Sequence, residues 1–226
     1  MRLRRSRGAD RAVIHQAASV CLSYPDDDVL AMMPLLDAAL AEQPVDDAAS
    51  SALREFVAYV RESDPMPLRQ QYIDTFDLSR EHTLYLSYWS AGDTRRRGAV
   101  LGEFKQRYRD GGFLVDLRGE LPDHLPIVLE FAARVDPRAG TDLLTEHRQA
   151  LELLRLSLIE QQSQYAQVVA AVCTTLPGVS PTDRQAVMAM RDAPTPIETV
   201  GLEPFDPRLL PISPNPVAPE SMSRAR

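Results

Sequence analysis

The chain has 226 residues, 44% of them hydrophobic, 25% charged and 6% aromatic, with a net charge of −7. That length suits one helical domain or one domain plus a tail, and the acidic balance excludes nucleic acid as the main partner, since phosphate neutralisation needs Lys and Arg. Few aromatics beside plentiful Ala and Leu favour helix over sheet, and Cys21 and Cys173 lack the spacing of a zinc or iron–sulfur site held by this chain alone.

The start, MRLRRSRGAD, is basic: the first eleven residues carry +4, which leaves −11 on the rest. The stretch after it, RAVIHQAASVCLSYPDDD, is too polar for a signal core, and no run nears eighteen apolar residues. The expected location is therefore the cytoplasm, with no insertion into a membrane. Sparse cysteine fits a reducing compartment.

A first helix is predicted over 11–23, with Val13, Ala17, Val20, Cys21 and Tyr24 on one face and a stop at Tyr24-Pro25. Asp26, Asp27 and Asp28 then cap and charge a second helix running towards Gln43, with a break or fresh start expected at Pro34. A third helix over 46–61 turns Leu53, Phe56, Val57 and Val60 inward. From Leu68 the pattern resumes, with Tyr72, Ile73 and Phe76 sharing a face and Asp77 to Ser79 ending the helix. The segment EHTLYLSYWSAGDT reads as helical turns, although alternation at Leu84, Leu86 and Tyr88 leaves a strand open.

Asp93 or Thr94 caps the next predicted helix, which Gly111 and Gly112 end. Asp123 is the expected N-cap of a further helix, with Pro126 in its first turn. One long helix is predicted over 141–175, its inner stripe reading Leu144, Leu151, Leu154, Leu158, Gln162, Tyr165, Val169 and Val172; Pro177-Gly178 stops it, and a short helix follows over 182–191. Eight prolines in the 34 residues from Ala193 leave little room for a core. The expected architecture is all-α: a single bundle of about eight helices over 1–192, then an extended or disordered tail over 193–226.

Catalytic templates are missing: there is no G-x-S-x-G, no phosphate-binding glycine loop and no H-E-x-x-H. None of His15, His82, His124 and His147 lies four residues from another, so no metal site is expected. Glu120, Asp123 and His124 place carboxylates beside an imidazole, which suits general acid–base work in a small helical hydrolase, but the residues fit better a helix start or a partner contact, with Asp123 as the cap and His124 in the first turn. Arg95, Arg96 and Arg97 crowd a helix start where the macrodipole disfavours cations. They fit either an anion contact or solvated arginines paired with Asp93 or Glu103. Tyr72, Phe76, Tyr85, Tyr88 and Trp89 are dense for a chain so poor in aromatics. They suit a peptide-binding groove or a plain core, with Phe76 on the core side.

The stretch YIDTFDLSREHTLYLSYWSAGDTRRRGAVLGEFKQRYRDGGF, followed by ELPDHLPIVLEFAA, resembles the NarJ-type nitrate reductase molybdenum cofactor assembly chaperones, relatives of the TorD-like chaperones. The likeness is dense over 68–135, looser over 13–61 and beyond 141, and does not reach the proline-rich extension. It implies an all-helical chaperone, not an enzyme, with no permanently bound cofactor. The implied partner is the apo catalytic (alpha) subunit of respiratory nitrate reductase, reached through its N-terminal segment. Cofactor-delivery proteins are further candidate partners. The chaperone would hold the subunit for cofactor insertion and delay membrane docking. Glu120, Pro122, Asp123 and His124 match the superfamily's acid-Pro-Asp-His motif and, with Tyr72, Phe76, Tyr85, Tyr88 and Trp89, form the expected client-peptide site. A chaperone proofreading the signal peptide of another molybdoenzyme is the neighbouring alternative.

Overall fold

Aspartates start five of the helices, each accepting hydrogen bonds from the free backbone N–H groups of a first turn. Asp26 caps α2 (Asp27–Ala41), Asp47 caps α3 (Ala48–Glu62), Asp64 caps α4 (Pro65–Tyr72), Asp136 caps α8 (Pro137–Glu146) and Asp183 caps α11 (Arg184–Ala189). The remaining helices are α1 (Arg7–Cys21), α5 (Leu86–Ala91), α6 (Arg95–Asp110), α7 (Leu125–Arg134), α9 (Arg148–Glu160) and α10 (Tyr165–Thr174). The computed structural model describes residues 7–44, 47–92, 95–112, 117 and 119–190, with side chains from Arg11 onward. The chain divides into two units, Met1–Asp192 and Ala193–Arg226. The expected proline-rich tail, the basic start before Arg7 and the Asp93 and Thr94 caps lie outside the described residues.

Six helices make the centre. α1 lies along α7, α3 sits between α2 and α10, and α10 packs on α9. α1 approaches closely because its inner face is small: Ala17 and Ala18 are buried beside Ile14 and Cys21. α3 contributes the predicted stripe, with Leu53, Phe56, Val57 and Val60 all buried. The fold is all-α, as expected, with eleven α-helices among the described residues in place of about eight. No strand occurs among these residues. The open question at 84–88 resolves as a 3₁₀ turn (Arg80–His82), one isolated bridge between Tyr85 and His124, and α5.

Three expectations fail for physical reasons. α2 runs unbroken through Pro34, which is exposed, so the hydrogen bond a helical proline forfeits falls on the solvent side. The long helix over 141–175 is three helices, α8, α9 and α10. His147 closes α8 and opens α9, and Gln162, placed in the apolar stripe by spacing alone, is exposed in a turn with φ of 56°. Finally, Asp123 does not cap α7. That helix starts at His124 with no side-chain cap, and Asp123 is used elsewhere.

α8 can fold back on α7 because residue 140 is glycine: a Cβ there would lie 2.3 Å from Ala132 Cα. After α4 the chain widens into a π turn, Ile73–Asp77, closed by Leu78 N–H donating to Ile73 O at 3.0 Å. Such turns occur often at functional sites because the extra residue re-aims its neighbours. Here it carries Phe76 and Asp77.

Candidate functional site

The acid-Pro-Asp-His motif builds the site from behind. Asp123 is fully buried, and its Oδ2 accepts from the Ser87 N–H at 2.9 Å and the Ser87 hydroxyl at 2.6 Å. Ser87 is in the first turn of α5, so Asp123 caps that helix from a distant part of the chain. Backbone bonds run alongside: Leu86 N–H donates to Asp123 O at 3.1 Å, and Leu125 N–H donates to Leu84 O at 2.9 Å. The 84–87 turn is thereby stitched to the start of α7. Pro122 is buried too, and its carbonyl accepts from the Tyr108 hydroxyl at 2.6 Å.

In front of this frame lies a groove of about 510 Å³. Tyr72, Phe76, Tyr85, Glu120 and His124 line it, which brings five of the nine expected client-site residues together. Tyr85 donates its hydroxyl to Glu120, and its ring centroid lies 5.2 Å from that of His124. Tyr72 and Phe76 also close the core, their ring centroids 4.9 Å apart at a tilt of 57°, with Tyr165 behind them edge-on. Pro122 and Asp123 sit behind the wall rather than in it.

Tyr88 and Trp89 lie outside this groove. Trp89 donates its indole N–H to Thr83 O at 3.1 Å and lines a separate crevice of about 390 Å³ with Arg96 and Glu103. The three arginines part company. Arg95 and Arg96 are exposed, while Arg97 is half-buried and donates from Nε to Ser87 Oγ at 3.1 Å.

Residues not marked as site candidates in the sequence complete the groove: Tyr24, Asp26, Asp77, Ile127 and Glu130. Asp26 and Asp77 read there only as helix punctuation. Four carboxylates, Asp26, Asp77, Glu120 and Glu130, therefore face the groove, and no Lys or Arg among the described residues lines it. Burial, then the charge of Glu120, pushes the Asp77 carboxyl up, partly offset by His124. Burial holds the His124 imidazole below its ordinary value against the pull of Glu120, Asp123 and Asp77. Burial and the hydrogen bond to Glu120 push the Tyr85 phenol up. The result is a set of anionic rims and neutral aromatic walls. Such a site suits a segment with apolar side chains and positive charge.

Glu120, Asp123 and His124 do not assemble as an acid–base trio. Asp123 is turned inward to Ser87, and Glu120 is engaged by Tyr85. Both thiols are buried, and burial pushes Cys21 and Cys173 up to about 12, so neither is a ready nucleophile. Among the described residues no group of three or more His, Cys, Asp or Glu is placed to hold a metal ion. None of the described helices is long and apolar enough to cross a membrane.

Known proteins resemble this chain in sequence, and one does so in fold. The profile of the nitrate reductase delta subunit family matches residues 42–171. The nitrate reductase-like protein NarX of Mycobacterium tuberculosis is 45% identical over 163 residues, which is 72% of this chain and 24% of that protein. The chain thus spans about a quarter of that relative's length. The nitrate reductase molybdenum cofactor assembly chaperone NarJ of Escherichia coli K12 is 30% identical over 146 residues, 64% of this chain and 61% of that protein. The probable chaperone of the same name from Bacillus subtilis is 30% identical over 174 residues, 75% of this chain and 91% of that protein. A crystal structure from Archaeoglobus fulgidus, described as a putative redox enzyme maturation protein, superposes with a TM-score of 0.55 at 22% identity. It covers 72% of this chain and 91% of its own, and supports the fold alone.

Proposed function

The chain belongs to the nitrate reductase delta subunit family, that of the NarJ-type assembly chaperones, and from that premise we propose that it binds the apo catalytic subunit of respiratory nitrate reductase. The family consists of assembly proteins and not of catalytic enzymes. In this reading the chaperone grips the subunit's N-terminal segment, keeps the subunit open to molybdenum cofactor insertion, and delays membrane docking until loading is complete. The cofactor is cargo for the client and not a resident group of the chaperone.

The observation that carries the proposal is the groove itself: aromatic walls from Tyr72, Phe76 and Tyr85 beneath a rim of four carboxylates. Apolar side chains of a client segment lose water against the walls, at roughly 25 cal/mol per Å² of apolar surface covered. Basic side chains are drawn in and oriented by the rim. No bond is made or broken. The work is differential binding, since the chaperone leaves only if the loaded client binds it less well than the apo form does.

The test is co-purification of the tagged chain from cells with and without molybdenum cofactor synthesis. Retention of the catalytic subunit mainly in cells lacking the cofactor is expected. Absence of the subunit under both conditions, with the chaperone folded, overturns the proposal.

A further inference from the structure

We propose that Arg97 is a positioning residue for the client groove: from α6 it sets the orientation of the Tyr85 ring that forms one wall. The inference rests on reading that groove as the client's seat. It begins from a local conflict, a cation in the first turn of α6, where the helix dipole opposes positive charge. Neighbouring Arg95 and Arg96 meet the same field by reaching solvent. Arg97 instead turns inward, and the contacts it makes there offset the cost.

Those contacts are specific to a guanidinium. Its Nε donates to Ser87 Oγ at 3.1 Å, and its Nη2 lies 3.9 Å from Asp123 Oδ2. The Ser87 hydroxyl uses its own proton on the same Asp123 oxygen at 2.6 Å, so Arg97, Ser87 and Asp123 form a directed chain of donors ending on one carboxylate. The guanidinium carbon is 5.7 Å from the Tyr85 ring centroid and 5.8 Å from that of Tyr88. One flat cation thus lies within cation–π reach of both rings while its edge is hydrogen-bonded.

Tyr85 is otherwise held at its backbone, by the bridge to His124, and at its hydroxyl, by Glu120. A backbone hold and one hydroxyl bond leave the ring free to swing about the line between them. Arg97 removes that freedom from the protein side, and His124 meets the ring within the groove. Arg97 therefore acts on the client through Tyr85, without lining the groove. Lysine keeps the charge but has neither the flat face nor a donor at the Nε position, so it cannot serve.

The test compares full-length wild type with Arg97→Lys, Arg97→Gln and the control Arg96→Lys. The first readout is the aromatic carbon–proton resonances of Tyr85 in the free chain, assigned with Tyr85→Phe. The second is affinity for a synthetic peptide copying the N-terminal segment of the nitrate reductase catalytic subunit. Arg97→Lys is expected to move the Tyr85 resonances and weaken peptide binding about tenfold, while the other tyrosines and the thermal midpoint stay near wild type. Arg96→Lys is expected to change neither readout. Tyr85 resonances that coincide with wild type in Arg97→Lys overturn the inference, as does peptide binding that stays tight when they move. A wild-type chain that ignores the peptide overturns the inference as a statement about client binding, and with it the choice of segment. In that case the Tyr85 resonances still decide whether Arg97 sets the ring.

Discussion

Asp123 and Ser87 are joined twice, by the Ser87 N–H at 2.9 Å and by its hydroxyl at 2.6 Å, across 36 residues of chain. A motif that looks like the start of its own helix therefore holds the start of another. Asp123→Ala removes the cap and leaves Ser87 and Arg97 facing an emptied acceptor. The expected loss is about 2–4 kcal/mol, more than the ~1 kcal/mol of an ordinary surface cap. Asp123→Asn keeps an acceptor and is expected to lose less. Urea unfolding of both variants checks the order, and a loss under about 1 kcal/mol for Ala would contradict it.

Glu120 and Asp77 share one rim of the groove, and the charge of Glu120 is among the causes that push Asp77 up. Glu120→Gln and Asp77→Asn are expected to slow association of a basic, apolar test peptide roughly fivefold each at low salt, with little change in stability. The effect shrinks as salt is raised, because rim charges are screened. Stopped-flow association at two ionic strengths measures this. Equal rates at low salt would remove the carboxylates from the recognition scheme.

His15 sets a pH limit. Its Nε2 lies 2.8 Å from Thr175 Oγ1, whose own proton goes to Val172 O, so the imidazole is the donor. Burial, and then the charge of Arg11, lowers it from 6.5 to about 4. The folded value is depressed, so the unfolded chain takes the proton first as pH falls. The stability present above pH 6.5 is lost progressively between there and about 4, by ~3 kcal/mol from this group. Burial lowers His124 and His147 as well, which adds in the same direction. Thermal midpoints across pH 4–7 for wild type and His15→Gln are expected to converge at low pH, and parallel curves would exclude His15 as the cause.

Gly140 is the contact point of α7 and α8, where an added Cβ would meet Ala132 Cα at 2.3 Å and its backbone N at 2.8 Å. Backbone cannot give way as a side-chain tip does, so Gly140→Ala is expected to cost at least ~1–3 kcal/mol despite the better helix propensity of alanine. Thermal unfolding checks it. A stabilised variant would mean that α8 shifts freely on α7.

Part of this structure is legible in the residues themselves. The cap at Asp26 and the α3 stripe are local signals, since each acts within a turn or two of chain. Tyr72, Phe76, Tyr85, Glu120 and His124, marked by residue type and motif, line one groove. Asp123 misleads because an aspartate two residues before Leu125 satisfies every local rule for a cap, while its true partner is remote. Glu152 is invisible for the opposite reason. It falls within an apolar stretch yet is fully buried, satisfied by Arg155 at 2.7 Å and Arg148 at 3.3 Å. Those arginines also hold the carbonyls of Gly178 and Pro181, contacts that no periodicity encodes. Asp77 and Tyr24 reach the groove only because a π turn and the α1–α2 link aim them there.

Trp89 is the chain's sole tryptophan, and its indole is fastened to the carbonyl of Thr83, the residue before the turn that the motif stitches down. The molecule thus carries its own optical gauge. Emission from one ring reports whether the 83–89 segment is seated, and it does so without a label. Comparing that signal with far-ultraviolet circular dichroism along a denaturant series separates release of the groove wall from collapse of the bundle. A wall that lets go first would mean that the groove can open while the bundle stays folded.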